Sequence, residues 1–305
     1  MKMRSFRAMG TDVQIAIHAR ACHSESMVEQ VLDKVVGMVH DMEQRLSRFH
    51  PTSDICRINR GRGQWVEIHP ATFEVLRLAR EAFLWTDGLF HPCLGAVLEH
   101  MGYDVSFDRR REPNEAPVVH VHPVISARCP YELSPDGRHC RVDPGFQLDV
   151  GGIGKGWIVE QCAGVLRDSG FEDFVVNAGG DAVCEGRNGE RPWLVGIEDP
   201  FSRTQHALTL TLDSLSLATS GTYKRRWTHH GKTVHHLIDP RTGQPSSSDI
   251  VSCTVVHPSL VAAEVMAKTC LLLGSVEGIA WLSSRAQRGW VVVKNTGEVM
   301  HAWNS

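Results

Sequence analysis

The stretch Asp149-Val150-Gly151-Gly152-Ile153-Gly154-Lys155-Gly156 combines four glycines with one lysine. The run Phe146-Gln147-Leu148 before it is typical of a strand, and the apolar residues from Ile158 to Leu166 recur at helical spacing. We therefore predict a strand, a glycine-rich turn and a helix. Glycine permits positive φ and close backbone approach, the start of a helix presents unpaired N–H groups, and Lys155 adds a positive charge. This combination suits a phosphate or pyrophosphate group.

The stretch does not match either common nucleotide-binding loop. A P-loop needs a glycine where Asp149 stands and a serine or threonine where Gly156 stands. The dinucleotide-binding pattern Gly-x-Gly-x-x-Gly would need a third glycine at Trp157. A tight turn that packs a helix on a sheet is the alternative interpretation.

Three further strand-like runs end in polar or glycine-rich junctions. Phe174–Asn177 leads into Ala178-Gly179-Gly180-Asp181, and similar junctions lie at Leu217–Tyr223 and His235–Pro245. Each junction alone is typical of a turn. Because four such junctions occur in one chain, we expect two lobes with the junctions gathered at one ligand-binding cleft.

Five blocks of the sequence resemble the ApbE family of FAD:protein FMN transferases. They are Met9-Gly10-Thr11, Asp149–Gly156, Asn177–Asp181, Ala218-Thr219-Ser220-Gly221 and His236–Gly243, in the order in which the family carries them. The stretches from Leu46 through Asn59, Asp87–Phe90 and Trp193–Pro200 match as well. The resemblance implies an α+β fold: one ApbE-like, T-fold-like module over residues 1–305, two-lobed, with mixed or antiparallel sheets and packed helices.

The resemblance also implies an activity. FMN would move from FAD to a Thr or Ser hydroxyl of an acceptor protein, and AMP would leave. Such a transfer depends mainly on positioning and charge neutralisation. Two alternatives stay open: an FAD pyrophosphatase that yields FMN and AMP, and an FAD-binding or flavin carrier protein.

The resemblance assigns roles to residues in these blocks. Lys155, Asp181 and His236 are the catalytic candidates, with His236 as the acceptor of the hydroxyl proton because its ordinary pKa lies near 6.5. Met9 and Phe49 are the flavin neighbours, and Phe49 stands where relatives often carry tyrosine. Lys155, Asp181 and His236 are also FAD-binding candidates, and the remaining ones are Asp87, Gly152, Gly154, Asn177, Gly179, Thr219, Ser220 and Gly221.

The metal site implied by the resemblance is altered in this chain. Relatives bind Mg²⁺ through an Asp and a Thr one turn apart on a helix, and aligned from Gly274 those positions are Glu264 and Lys268. The resemblance leaves a possible Mg²⁺ site at Glu264 and Gly154, in which Lys268 replaces the second side-chain ligand. A protonated lysine cannot ligate a metal. The alternatives are an ordinary i,i+4 surface pair, a Lys268 ammonium held by Glu264 in place of Mg²⁺, or a flavin-binding relative that has lost transfer activity. We expect Mg²⁺ to be weakly bound or absent.

Composition excludes several other classes. The chain has 305 residues, 42% hydrophobic content and a net charge of −3, so no nucleic-acid surface is indicated. Its nine cysteines include no Cys-x-x-Cys pair, which argues against a zinc site or disulfide framework. We see no apolar run of membrane-spanning length and no signal peptide, and we expect a cytoplasmic protein. The run Arg109-Arg110-Arg111 is interpreted as a solvated loop.

Periodicity predicts helices over residues 27–47, 70–86 and 259–273, and strands over 13–17, 207–217, 251–256 and 290–294, the last of these being the final strand. Residues 104–145 are predicted to form loops and edge strands, including the run Val118–Val121. Strands and helices do not alternate strictly, which favours the α+β class.

Overall fold

The computed structural model of the chain describes residues 1–106, 128–202, 204–286 and 288–303. The predictions for Arg109–Arg111 and Val118–Val121 lie outside these residues. The helices are α1 Glu25–Leu46, α2 Asp54–Arg60, α3 Pro70–Trp85, α4 Gly95–His100, α5 Gly154–Asp168 and α6 Leu260–Ser283. The strands are β1 Lys2–Ala8, β2 Thr11–Ile17, β3 Val66–Glu67, β4 Tyr131–Leu133, β5 His139–Val142, β6 Phe174–Ala178, β7 Asp181–Glu185, β8 Trp193–Glu198, β9 His206–Leu212, β10 Leu215–Gly221, β11 Arg226–His229, β12 Lys232–His235, β13 Ile238–Asp239, β14 Gln244–Pro245, β15 Ile250–His257, β16 Gly289–Lys294 and β17 Val299–Trp303.

The chain forms two compact units, each built from separated segments. The first unit comprises Met1–Asp41, Lys155–Gly221 and the chain from Ser248 onward. The second unit comprises Met42–Gly154 and Thr222–Ser247. The α+β class is confirmed, and whether residues 1–305 act as a single module stays a prediction.

An antiparallel sheet of eight strands dominates the first unit, in the order β1-β2-β6-β7-β10-β15-β16-β17. Strand β15 is rich in β-branched residues and buried along its whole length, as expected of a strand near the middle of a sheet. Helix α6 packs on β10 and β15. The register places Thr219 opposite Thr254 and Gly221 opposite Ser252, so polar residues lie among the apolar ones at this end of the sheet.

The second unit contains α2, α3 and α4, a three-stranded sheet in the order β3-β5-β4, and the short pairs β11-β12 and β13-β14. Its apolar core includes a cluster formed by Leu94, Val97, Leu98, Met101, Tyr103, Trp227 and Ile238. Phe49 packs against this cluster. The core therefore unites residues from distant parts of the sequence.

The predicted helices are confirmed, and local chemistry explains where they begin. Pro70 lies in the first turn of α3, where a missing N–H costs nothing. The Ser259 side chain accepts a hydrogen bond from the amide of Ala262 and caps α6. The backbone of α6 leaves helical geometry at Gly274, with φ 83° and ψ 174°, which matches the predicted end near residue 273.

Three strand predictions need correction. Residues 207–217 form parts of two strands, β9 and β10, because the chain turns at Ser214 with φ 49°. The run Phe146–Leu148 makes only an isolated bridge between Gln147 and Leu94, so α5 follows a turn and not a strand. The last described strand is β17, which pairs with β16 and follows a turn at Gly297.

In the described part of the chain, α6 has the length and apolar composition that a membrane span requires. Half of its apolar 18-residue stretch is buried inside the protein. The same properties belong to a core helix, and α6 packs on the sheet of the first unit. The helix is therefore weak evidence for a membrane span.

Candidate functional site

Lys155 lies between two buried carboxylates in the first unit. Its ammonium contacts Asp181, and its Nζ atom lies 3.2 Å from Oε1 of Glu264. Asp181 is 1% exposed and Glu264 is 4% exposed, whereas the Lys155 side chain keeps 19% of its surface exposed. The glycine-rich stretch thus places a cation against two anions that the sequence separates widely.

Backbone amides hold both carboxylates. The amide of Thr219 donates to Oδ1 of Asp181 at 3.1 Å, and the amide of Gly156 donates to Oε2 of Glu264 at 3.0 Å. A Cβ at Gly156 would lie 2.8 Å from Oε2 of Glu264, so glycine is required for this close approach. Hydrogen bonds of this kind offset much of the cost of burying charge.

The turn before Asp181 shows why asparagine and glycine occupy two of the predicted positions. Gly179 and Gly180 adopt φ 66° and 103°, and the side chain of Asn177 accepts a hydrogen bond from the amide of Gly180 at 3.0 Å. A Cβ at Gly179 would collide with the side chain of Thr11. Asn177 and Gly179 therefore shape the turn that begins β7 at Asp181.

Hydroxyl groups border the same end of the sheet. Oγ1 of Thr219 lies 2.8 Å from Oγ1 of Thr254 on the neighbouring strand. Ser220 and Gly221 follow on β10, half-buried. The hydroxyl of Ser252 is buried and finds no hydrogen-bond partner within the described ranges of the chain. Hydroxyls here can serve as donors to an oxygen-rich ligand.

Met9 is the last candidate of the first unit to be placed, and it lies at the N-terminal hairpin. It adopts φ 55° and forms, with Gly10 at φ 64°, the two-residue turn between β1 and β2. Two successive residues at positive φ match the twist of a hairpin. The half-buried Met9 side chain is thus presented by a tight turn.

In the second unit, Phe49 lies beside the guanidinium of Arg48. The Arg48 group lies 4.1 Å from the centroid of the Phe49 ring and 4.7 Å from that of Tyr103. Its Nε donates to Oδ2 of Asp149 at 2.8 Å, and Oδ1 of Asp149 accepts from the amide of Gly151 at 2.7 Å. Arg48 therefore links the aromatic candidate to the turn that carries Gly152 and leads to Gly154, the first residue of α5.

Two candidates occupy loops of the second unit. Asp87 is exposed and adopts φ 51° just after α3. His236 is half-buried between β12 and β13. The neighbouring His235 approaches the carbonyl of Ser246, with Nε2 3.1 Å from that oxygen, and burial lowers the pKa of its imidazole. His236 thus follows an anchored neighbour.

The structure brings together Lys155, Asp181, Thr219 and Glu264. Met9, Asn177, Gly179, Ser220 and Gly221 belong to the same unit, and Phe49, Asp87, Gly152, Gly154 and His236 belong to the second unit. Lys268 is half-buried on α6, one turn after Glu264. The catalytic, FAD-binding and metal-binding roles of all these residues stay predictions, and so does the shared cleft.

Sequence reasoning missed the residues that support the candidates. Arg48 and Asp149 lie within the quoted blocks, yet they are 101 positions apart and nothing in either block signals their pairing. Thr254 and Tyr103 carry no motif. The only sequence signal was the charge of Arg48 beside an aromatic residue.

The fold is an α+β arrangement that solved structures share. The structure described as the ApbE protein of Thermotoga maritima matches with a TM-score of 0.85 and 23% identity, covering 99% of this chain and 96% of that one. The structure described as flavin transferase ApbE from Vibrio cholerae matches with a TM-score of 0.82 and 21% identity, covering 100% and 97%.

Sequence comparison identifies the family. The family model described as the ApbE family matches residues 9–291, and the chain belongs to this family. A protein of Klebsiella pneumoniae (strain 342) named FAD:protein FMN transferase is 26% identical over 301 residues, which cover 96% of this chain and 89% of the relative. A protein of the same name from Treponema pallidum is 26% identical, with 92% and 80% covered.

Proposed function

We propose that this chain is an FAD:protein FMN transferase. The supporting observation is that the ApbE match spans residues 9–291 and that relatives bearing this name align over nearly the whole chain. The enzyme takes FMN from FAD, attaches it to a Thr or Ser hydroxyl of an acceptor protein and releases AMP.

The reaction replaces one phosphorus–oxygen bond with another. The acceptor hydroxyl oxygen forms a bond to the phosphorus of the FMN half, and the pyrophosphate bond to AMP breaks. The hydroxyl proton must leave as this bond forms, and His236 is the residue assigned to accept it. Thr219, Ser220 and the backbone amide of Gly221 offer hydrogen-bond donors to pyrophosphate oxygens.

Lys155 contributes to this reaction through its carboxylate partners. Because its ammonium contacts both Asp181 and Glu264, the two carboxylates neutralise much of its positive charge. We propose that it fixes the positions of α5, β7 and α6 relative to one another, and that its remaining exposed surface faces the FAD pyrophosphate.

The Mg²⁺ implied by the family does not suit the donors around Glu264. Mg²⁺ requires near-octahedral oxygen ligands. Glu264 is contacted by the ammonium of Lys155, and the residue one helical turn later is Lys268, whose ammonium has no lone pair. The proposed reaction therefore includes no step through a metal ion.

The test is to incubate the protein with FAD and a peptide that carries an acceptor threonine, and to measure AMP and covalently bound flavin. A transferase produces both in equal amounts. AMP without covalent flavin would identify an FAD pyrophosphatase, and intact FAD that stays bound would identify a carrier.

The variant His236→Ala tests the assigned base. We expect transfer to fall by about 10²–10⁴-fold, because that is the typical contribution of a general base. FAD affinity should change little, since a base need not contribute to ground-state binding. Covalent flavin is read from in-gel fluorescence and affinity from calorimetry. His235→Ala is the matched control, and a larger loss there than at position 236 would refute the assignment.

A further inference from the structure

All four oxygens of the two buried carboxylates near α5 already interact with nitrogen atoms of the protein. Asp181 accepts from the amide of Thr219 and from Lys155, and Glu264 accepts from the amide of Gly156 and lies 3.2 Å from Nζ of Lys155. The cluster therefore satisfies the buried charges with protein groups alone.

A divalent cation at Glu264 would have to displace this arrangement. Oε1 of Glu264 lies 3.2 Å from the Lys155 ammonium, so a metal ligated by the same carboxylate would sit within a few ångströms of that positive charge. Like charges at this separation repel, and the low exposure of Glu264 limits screening by solvent. Lys155 cannot swing away without leaving Asp181, which is 1% exposed.

Among the residues that the structure describes, no group of three or more His, Cys, Asp or Glu side chains is placed to hold a metal ion. On α6, the position one turn after Glu264 holds Lys268, a second cation on the same helix face. One lysine thus contacts the carboxylate that a metal on α6 would need, and a second lysine stands one helical turn later.

We infer that Lys155 is the resident counter-ion of Asp181 and Glu264, and that this chain binds FAD without a divalent cation at Glu264. This inference rests on the proposed function for the identity of the ligand. It changes the chemistry of the site: the pyrophosphate meets ammonium groups and N–H donors where a metal would otherwise ligate its oxygens.

The test is titration of the full chain with Mn²⁺, whose electron paramagnetic resonance signal reports the free ion. Titrations are made with and without FAD, because the pyrophosphate itself binds cations, and a matched solution of FAD alone is subtracted. We expect no binding beyond FAD alone up to millimolar Mn²⁺. One equivalent bound at micromolar concentration, and lost in Glu264→Gln, would overturn the inference.

A designed variant tests the cause. Lys268→Thr combined with Glu264→Asp replaces a cation with a hydroxyl and shortens the carboxylate that reaches Lys155. We expect this variant to bind Mn²⁺ at about 0.1 mM or below, at least tenfold more tightly than the millimolar limit expected for the parent, which is the size of effect typical of changes around metal ligands. Equal Mn²⁺ affinity in the two proteins would overturn the role given to these residues. If the double variant does not give a cooperative thermal transition, Lys268→Thr alone is measured.

The Mn²⁺-binding assay and the transfer assay test separate proposals, so either proposal can be refuted while the other stands. Mn²⁺ binding is measured without an acceptor, and the transferase proposal is judged by AMP and covalent flavin. A second arm measures FAD affinity by fluorescence in EDTA and in Mg²⁺. Equal affinities support the inference, and a loss of affinity in EDTA contradicts it whether or not flavin is transferred.

Discussion

The ammonium of Lys155 is shared by two carboxylates that come from β7 and α6. Breaking a buried ion pair by removing one partner is costly, because the remaining charge loses its compensation without regaining water. The amides of Thr219 and Gly156 retain their hydrogen bonds to the carboxylates and offset only part of this cost. Lys155 therefore matters to the stability of the first unit as well as to ligand binding.

We expect Lys155→Ala to lower the free energy of unfolding by about 3 kcal/mol, the lower end of the range for buried pairs, since the lysine is partly exposed. Urea unfolding followed by circular dichroism measures the change. Lys2→Ala, which removes two exposed ion pairs, with Glu25 and with Glu29, is the control and should cost far less. Equal losses in the two variants would contradict the prediction.

The same cluster defines what the sequence could reveal about the site. Asp181 and Lys155 were predicted because each lies in a glycine-marked junction that resembles a block of the ApbE family. The contact between Lys155 and Glu264 was not, because it depends on the packing of α5 against α6 and on the reach of a glutamate side chain. The Arg48–Asp149 pair was missed for the same reason: it is a tertiary contact between charges that look solvated in sequence.

At the scale of single elements, α6 is interrupted where Gly274 adopts φ 83° and ψ 174°. This backbone conformation belongs almost only to glycine. The break is held from outside the helix, because Asp249 accepts hydrogen bonds from the amide of Ser275 at 2.9 Å and from its hydroxyl. One glycine and one carboxylate thus divide α6 into two helical segments, before and after Gly274.

Gly274→Ala should destabilise the protein by about 1–3 kcal/mol, the usual cost of forcing a side chain into such a conformation. The new Cβ would also lie 3.3 Å from Oδ1 of Asp249. Chemical denaturation measures the effect. Gly37→Ala is the matched control, because Gly37 lies inside α1 with nothing within 4 Å of an added Cβ, and it should stabilise by about 0.5–1 kcal/mol. An unchanged free energy of unfolding in Gly274→Ala would contradict the view that this position requires glycine.

Ionisation of the Asp249 carboxyl should make the free energy of unfolding depend on pH. Burial alone would raise the pKa of its carboxyl, but the hydrogen bonds from Ser275 and the positive charge of Lys294 together lower the pKa below the ordinary 3.8. A lowered pKa means that the ionised group stabilises the folded state at pH above 3.8, and that this contribution is lost as the pH falls through the folded-state pKa.

The comparison of the parent with Asp249→Asn isolates this term, because asparagine does not titrate. We expect the difference in unfolding free energy to be constant at neutral pH and to shrink as the pH is lowered toward 3. Urea unfolding at a series of pH values measures it. A difference that grows in acid would show that the folded protein does not stabilise the ionised carboxylate.

Element boundaries in this chain were predictable where one residue type decides them. Pro70 and Ser259 mark helix starts, and Gly274 marks a helix end. Residues 207–217 were misread because alternation continues across the turn at Ser214, where a non-glycine residue adopts positive φ. Phe146–Leu148 was misread because apolar residues also fill loops that cross a core. Alternation reports which residues are buried, and the hydrogen-bond partners decide whether they form a strand.

At the scale of the whole molecule, the cysteines report how completely the chain is packed. All nine are free: Cys22 is exposed, Cys56 is half-buried and the other seven are buried. Burial raises the pKa of the Cys129 thiol to about 11 and those of Cys162 and Cys184 to about 12. Because the thiolate is the reactive form, burial suppresses reaction both by access and by ionisation.

We therefore expect one fast thiol when the folded protein is treated with a chromogenic disulfide reagent at pH 8, and that thiol should disappear in Cys22→Ser. Cys56 should react more slowly, because its Sγ lies 3.1 Å from the carbonyl of Arg48 and is only partly accessible. The seven buried thiols should appear only when guanidinium unfolds the chain, at the rate of unfolding of the regions that contain them.

Three or more fast thiols in native buffer would mean that at least one core is open, since Cys93, Cys129 and Cys140 lie in the second unit and Cys162, Cys184, Cys253 and Cys270 in the first. Identifying the labelled residues by mass spectrometry would then show which of the two cores opens, because each unit carries its own set of buried thiols.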